Sequence, residues 1–168
     1  MGYTTDFDGK FDLDKPLTPE HRAYLEAFAR TRRMQRNAVI TATMPDPIRE
    51  SVGLPIGEQS GYFVGSTKDY GQDRTPDVTD YNESPSGQPG LWCKWKPSED
   101  GRAIEWDGGE KFYSYVEWII YLIDNFLKPW GYILNGIVDW QGEEREDMGR
   151  IVITDNSVST KAGKVVYR

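Results

Sequence analysis

One cysteine and one histidine in 168 residues leave little room for several kinds of chemistry. A single thiol, Cys93, cannot form an intrachain disulfide. Cys93 and His21 together cannot supply the zinc spacings that need several such ligands. Cys93 lies between Trp92 and Lys94 and reads as a small buried hydrophobe. His21 falls in the first turn of a predicted helix and reads as a surface residue rather than a general base. No Ser or Cys has a recognisable His/Asp partner, so nucleophilic catalysis has no support. Positive charge is also short: 20 Lys and Arg stand against 27 Asp and Glu, for a net charge of −7. General nucleic-acid binding needs a cationic footprint and is not expected. Long hydrophobic runs are missing. Residues 115–127 are apolar but too short and too charged to span a bilayer. The opening "MGYTTDFDGKF" has no apolar signal segment, and Asp6 stands where a myristoylation motif wants Ser or Thr. A cytoplasmic protein with no membrane partner is the expectation. The glycine pairs in "GQPG" and "DGG" are turn chemistry, and no P-loop or dinucleotide fingerprint is present. No cofactor or metal is expected.

Aromatic residues are abundant, with six Trp and ten Tyr. Rings this large fill a core or build a recognition surface. Their positions fall into recognisable elements. Residues 3–13 alternate, with Tyr3, Thr5, Phe7, Gly9, Phe11 and Leu13 on one face and Thr4, Asp6, Asp8, Lys10 and Asp12 on the other, a half-buried strand. "LTPEH" predicts a helix start with Thr18 as N-cap and Pro19 at the first helical position. That helix is expected to run to about Met34, with Tyr24, Leu25 and Phe28 inward. Residues 37–90 are rich in Gly, Pro, Ser and Asp and hold no sustained period. "MPDPIRESVG" has room for one short helix. A segment this long in a compact domain is functional or disordered, and its aromatics argue that it packs down.

Regularity returns at residue 91. "LWCKWK" and "RAIEWD" predict a hairpin across "PSEDG". "GGEKFYSYVEWIIYLIDNFLKPWG" predicts the strongest helix, opened by Glu110 and Lys111 and stopped by Pro129 and Gly131. "YILNGIVDW" and "GRIVITD" predict two strands, and "KVVYR" a short final edge strand. The order is βαββαβ with an added C-terminal strand. The expected fold class is α+β: a ferredoxin-like antiparallel sheet with two helices on one face, in a single domain over 1–168 interrupted by the 37–90 insertion.

Two charged stretches invite functional readings. "ARTRRMQR" places Arg30, Arg32, Arg33 and Arg36 at the expected end of the first helix, in an otherwise acidic chain. Cations there offset the helix dipole. Planar guanidiniums also recognise phosphate or carboxylate. Together with insertion aromatics Tyr62, Phe63 and Tyr70, and with Trp92, they form a candidate pocket for a phosphorylated or nucleotide-like ligand. "WQGEEREDMG" packs Glu143, Glu144, Glu146 and Asp147 into five positions. A solvated bend between two strands explains them. A divalent metal site, and with it a metal-dependent phosphoester hydrolase, is the alternative. An uncovered sheet face offers a further alternative, a protein-interaction module.

The run "EKFYSYVEWIIYLI…WGYILNG…WQGE", with "YTTDFDGKFDLDKPLTPEH" and "FARTRRM", resembles a family of small, largely uncharacterised proteins of bacteria and their phages. The resemblance spans most of the chain. It implies a ferredoxin-like domain and an accessory role in phages or mobile elements, and it transfers no catalytic residue. The reading that results is a non-enzymatic binding protein. Its expected partners are a nucleotide-like small molecule or a host protein, and self-association into a homo-oligomer through a sheet face or edge is also expected.

Overall fold

The computed structural model describes residues 2–66 and 74–167. Cα distances divide the chain into two compact units, residues 1–16 with 94–168, and residues 17–93.

The first unit is built on a six-stranded sheet. Its strands are β1 (Asp6–Leu13), β4 (Trp95–Pro97), β5 (Ala103–Trp106), β6 (Leu134–Gln141), β7 (Met148–Thr154) and β8 (Ser157–Ala162). The spatial order is β4-β5-β1-β6-β7-β8, and every neighbouring pair is antiparallel. The class is therefore α+β. The alternation read in β1 holds: Phe11 is buried, Phe7 half-buried, and Asp6, Asp8, Lys10 and Asp12 are exposed.

Phe7 organises the inner face. Its ring lies 4.9–5.7 Å from those of Trp95, Trp106, Phe112 and Tyr115, mostly edge-on. Such pairs add to the burial free energy of each ring. The two indole N–H groups of the hairpin find acceptors: Trp95 donates to the Tyr115 carbonyl and Trp106 to the Gly109 carbonyl. A helix, α4 (Tyr115–Leu122), continues through a π turn at Ile123–Leu127, and Trp118, Ile119, Leu122, Ile123, Phe126 and Leu127 are buried. It starts five residues later than the glutamate expected to open it. Lys111 and Ser114 both adopt positive φ, which breaks the helical path, and Phe112 is drawn into the Phe7 cluster instead.

Two glycines let β1 and β6 approach. A Cβ on Gly136 (φ +146°) would lie 2.8 Å from the Lys10 carbonyl oxygen, and one on Gly9 (φ +106°) 2.6 Å from that of Ile137. Neither position admits a side chain without moving backbone. The β7–β8 hairpin turns on Asp155 and Asn156, both at positive φ, the geometry that matches strand twist in a two-residue turn. Asn156 ties this turn to the start of β6: its amide donates to the Tyr132 carbonyl and its side-chain oxygen accepts from Leu134 N–H. The last strand is thus Ser157–Ala162, and the expected strand at 164–168 is corrected. Residues 163–167 form no strand, and Val166 and Tyr167 are exposed.

The second unit comprises α1 (Pro19–Arg30), β2 (Gln35–Arg36), α2 (Ala38–Thr41), α3 (Pro47–Ser51) and β3 (Val78–Asp80), with β2 and β3 antiparallel. The expected cap is in place, Thr18 Oγ1 accepting from His21 N–H at 3.2 Å. Tyr24, Leu25 and Phe28 are buried as expected. The helix ends at Arg30, however, not near Met34. Thr31 turns to extended backbone, and its hydroxyl bonds back to the Ala27 carbonyl at 2.7 Å. A hydroxyl that bonds back in this way competes with helix continuation. The insertion packs down: Thr41, Asp46, Ser60, Phe63, Val64, Asp77 and Gln88 are all buried.

Candidate functional site

Of the four arginines, only Arg30 belongs to the helix, where it ends the last turn and is exposed. The other three follow it on extended chain, and the tertiary structure gives each an internal task. Arg33 is 2 % exposed. Its guanidinium donates to Gly61 O at 2.7 Å, Phe63 O at 2.9 Å and Gln88 Oε1 at 3.3 Å, and stacks 4.2 Å from the centre of the Phe28 ring. Arg36 donates to Asp77 Oδ2 at 2.6 Å with both side chains 3 % exposed, beneath the Phe63 ring. Arg32 lies 4.0 Å over Tyr81 and donates to the Tyr81 carbonyl, while Arg74 approaches the same ring. Arg33, Arg36 and Phe63 therefore come together, but as a buried strut that fastens the insertion to the chain following α1. Tyr62 is half-buried, with its carbonyl accepting from the Tyr24 hydroxyl, and Trp92 is half-buried. Tyr70 lies outside the described residues.

The partners Asp77 and Gln88 were not singled out from the sequence. The available signal was chemical: a guanidinium that leaves water must find acceptors. Burial works against the Asp77 carboxylate, but the Thr75 hydroxyl and the Arg36 guanidinium outweigh it, and its pKa falls below the ordinary value. Asp46 behaves oppositely. Burial dominates and raises its pKa, although its carboxylate accepts from Arg49 and from Gly65 N–H.

The acidic bend is a knot of hydrogen bonds. Tyr3 donates to Asp147 Oδ2 at 2.6 Å and accepts from Glu144 N–H. Glu143 accepts from Thr4 N–H. Trp140 donates to Asp147 Oδ1 at 3.1 Å. The Gln141 amide reaches the carbonyls of Gly142, Glu144 and Asp147. Among the described residues no group of three or more Asp, Glu, His and Cys is placed to hold a metal ion. The bend closes the β6–β7 hairpin and clasps the N-terminal segment.

The outer face of β1, β6, β7 and β8 is the remaining candidate. Strand register aligns its side chains in rows. Asp8, Asp139, Arg150 and Lys161 form one. Lys10, Ile137, Val152 and Ser159 form the next, and Asp6, Gln141 and Met148 a third. Arg150 grips Asp139 with two hydrogen bonds, 2.7 and 3.2 Å, while both side chains remain about half exposed at 50 % and 47 %. This pairing lowers the Asp139 pKa. Ile137 is 48 % exposed. A shallow hollow of about 570 Å³ runs over this surface, lined among others by Asp8, Asp139, Met148, Arg150 and Lys161. No helix is long and apolar enough to cross a membrane among the described residues.

No protein-family model, no curated protein and no solved structure matches the chain.

Proposed function

We propose that this chain is a non-enzymatic interaction module, recognising a protein surface through the outer face of its sheet. The observation that carries the reading is the ordered face itself. Exposed Ile137 and half-buried Val152 form an apolar strip beside the charged row Asp8, Asp139, Arg150, Lys161. An apolar centre with a charged border is the composition of a recognition patch. The small-ligand reading has less support. Two of its guanidiniums are buried and held by internal acceptors. The hydrolase reading has less support again, because Glu143 and Asp147 are engaged in holding the bend.

We propose further that the sheet is ferredoxin-like. In the sheet, β5 and β6 are linked through α4 yet separated by β1. That split βαβ order is what a ferredoxin-like arrangement requires of its second half. The resemblance to small bacterial and phage proteins supports an accessory role in phages or mobile elements, with a host protein as the partner. The test is capture of binding proteins by the immobilised chain and by an Ile137→Arg, Val152→Asp variant. A bound protein that the variant loses, and that a Glu20→Gln control keeps, supports the face. Equal capture by all three sinks it.

A further inference from the structure

We infer that the occupant of the outer sheet face is a second copy of this chain, seated about a two-fold axis parallel to the strands and running between β6 and β7. The inference rests on the reading of that face as a recognition surface, and adds which partner it fits. Its basis is the order of charge across the strands. Along one row the sequence of side chains is Asp8, Asp139, Arg150, Lys161: two acids, then two bases. A two-fold axis lying in the contact plane along the strands reverses the order of strands and leaves each row at its own height. Asp8 of one copy then faces Lys161 of the other, and Asp139 faces Arg150. The row below obeys the same operation. Ile137 meets Val152, and Lys10 meets Ser159. One rotation thus places acid on base throughout the first row and apolar on apolar at the centre of the second. An arbitrary partner has no reason to produce this, whereas a self-complementary patch is what a two-fold dimer needs.

The energetics allow the exchange. The internal Asp139–Arg150 pair is half exposed, so its own contribution is small and re-pairing across an interface costs little. Twisted sheets pack face to face with strands nearly aligned, so opposed rows can stay in register. Four strands about 4.8 Å apart and about seven residues long cover roughly 400 Å² per copy, below the ~800 Å² of a standard interface. The expected dimer is therefore weak, dependent on concentration and sensitive to salt.

Sedimentation velocity across a dilution series tests this. The full chain is expected to show a monomer–dimer equilibrium that shifts toward monomer as salt is raised. Asp8→Lys and Lys161→Glu, both at exposed positions, are each expected to weaken the dimer about tenfold or more, since symmetry repeats each clash. Mixed together, the two variants should recover a heterodimer of near wild-type affinity, because every reversed charge then faces its opposite. A chain that is monomeric at all concentrations overturns the second-copy assignment. So does a dimer indifferent to both reversals, or a mixture that fails to recover. None of these results touches the broader reading of the face, which fails only if partner capture is unchanged by Ile137→Arg, Val152→Asp.

Discussion

Arg36 and Asp77 meet at 2.6 Å with both side chains 3 % exposed, 41 residues apart in the chain. The pair joins the chain just after α1 to the far end of the insertion. Removing one partner leaves the other charge buried and uncompensated, which typically costs about 3–5 kcal/mol. Arg36→Ala should therefore lower the midpoint of urea unfolding strongly. Arg30→Ala, at an exposed helix end, should move it by no more than about 0.5 kcal/mol. Equal effects would show that burial of the pair does not matter.

The same pair sets a pH dependence. The folded pKa of Asp77 lies below its unfolded value of about 3.9. The folded state thus binds the proton less well than the unfolded chain. Its contribution to stability is present above the unfolded pKa and is lost as pH falls through the folded one. Stability measured against pH should show Asp77→Asn falling short of wild type at neutral pH, with the deficit shrinking below about pH 4. A deficit that is constant down to acid pH would contradict the assignment.

Tyr115 supplies the opposite sign at the alkaline end. Burial, with the negative charges of Asp147 and Glu117, pushes its pKa up to about 12. Its neutral form is favoured by the fold, so its contribution is complete below the unfolded pKa near 10 and is lost as pH rises through 12. Phenolate absorbance followed against pH should show a late-ionising tyrosine that vanishes in Tyr115→Phe. If that variant leaves the alkaline end of the titration unchanged, another tyrosine is responsible.

Gly136→Ala addresses the β1–β6 seam. The new methyl would meet the Lys10 carbonyl oxygen at 2.8 Å and the Phe11 Cα at 3.0 Å, at a φ of +146°. A non-glycine residue held in such a region costs about 1–3 kcal/mol before any steric term. Loss of thermal stability, together with faster amide exchange along β1, is the expected result. An unchanged melting temperature would mean that the strands have room to part.

Much of the sheet was legible because strand alternation and turn chemistry are local. The face pattern of residues 6–13, the hairpin near residue 98 and the strands at 134–141 and 148–154 follow from period-two patterning between turns. The final strand was misplaced because "KVVYR" carries the higher β-propensity. The Asp155–Asn156 turn instead sets Ser157–Ala162 against β7, and pairing geometry outranks propensity at an edge.

The arginines show the same division from the other side. Their density in "ARTRRMQR" was plain, and so was their capacity for bidentate recognition. What they recognise depends on acceptors 28–55 residues away, among them the Gly61 and Phe63 carbonyls, Asp77 and Gln88. Local pattern carries no information on contacts across such separations in a segment without period.

By itself the sequence determined which residues alternate, where α1 is capped, and that the insertion carries aromatics able to pack. These follow from interactions between near neighbours, whose geometry the backbone fixes. Only the tertiary structure decided that Arg33 and Arg36 are buried struts, and that Asp8, Asp139, Arg150 and Lys161 stand in one row. Burial and cross-strand register are set by which distant strands and loops meet, and that choice belongs to the whole chain rather than to any window of it.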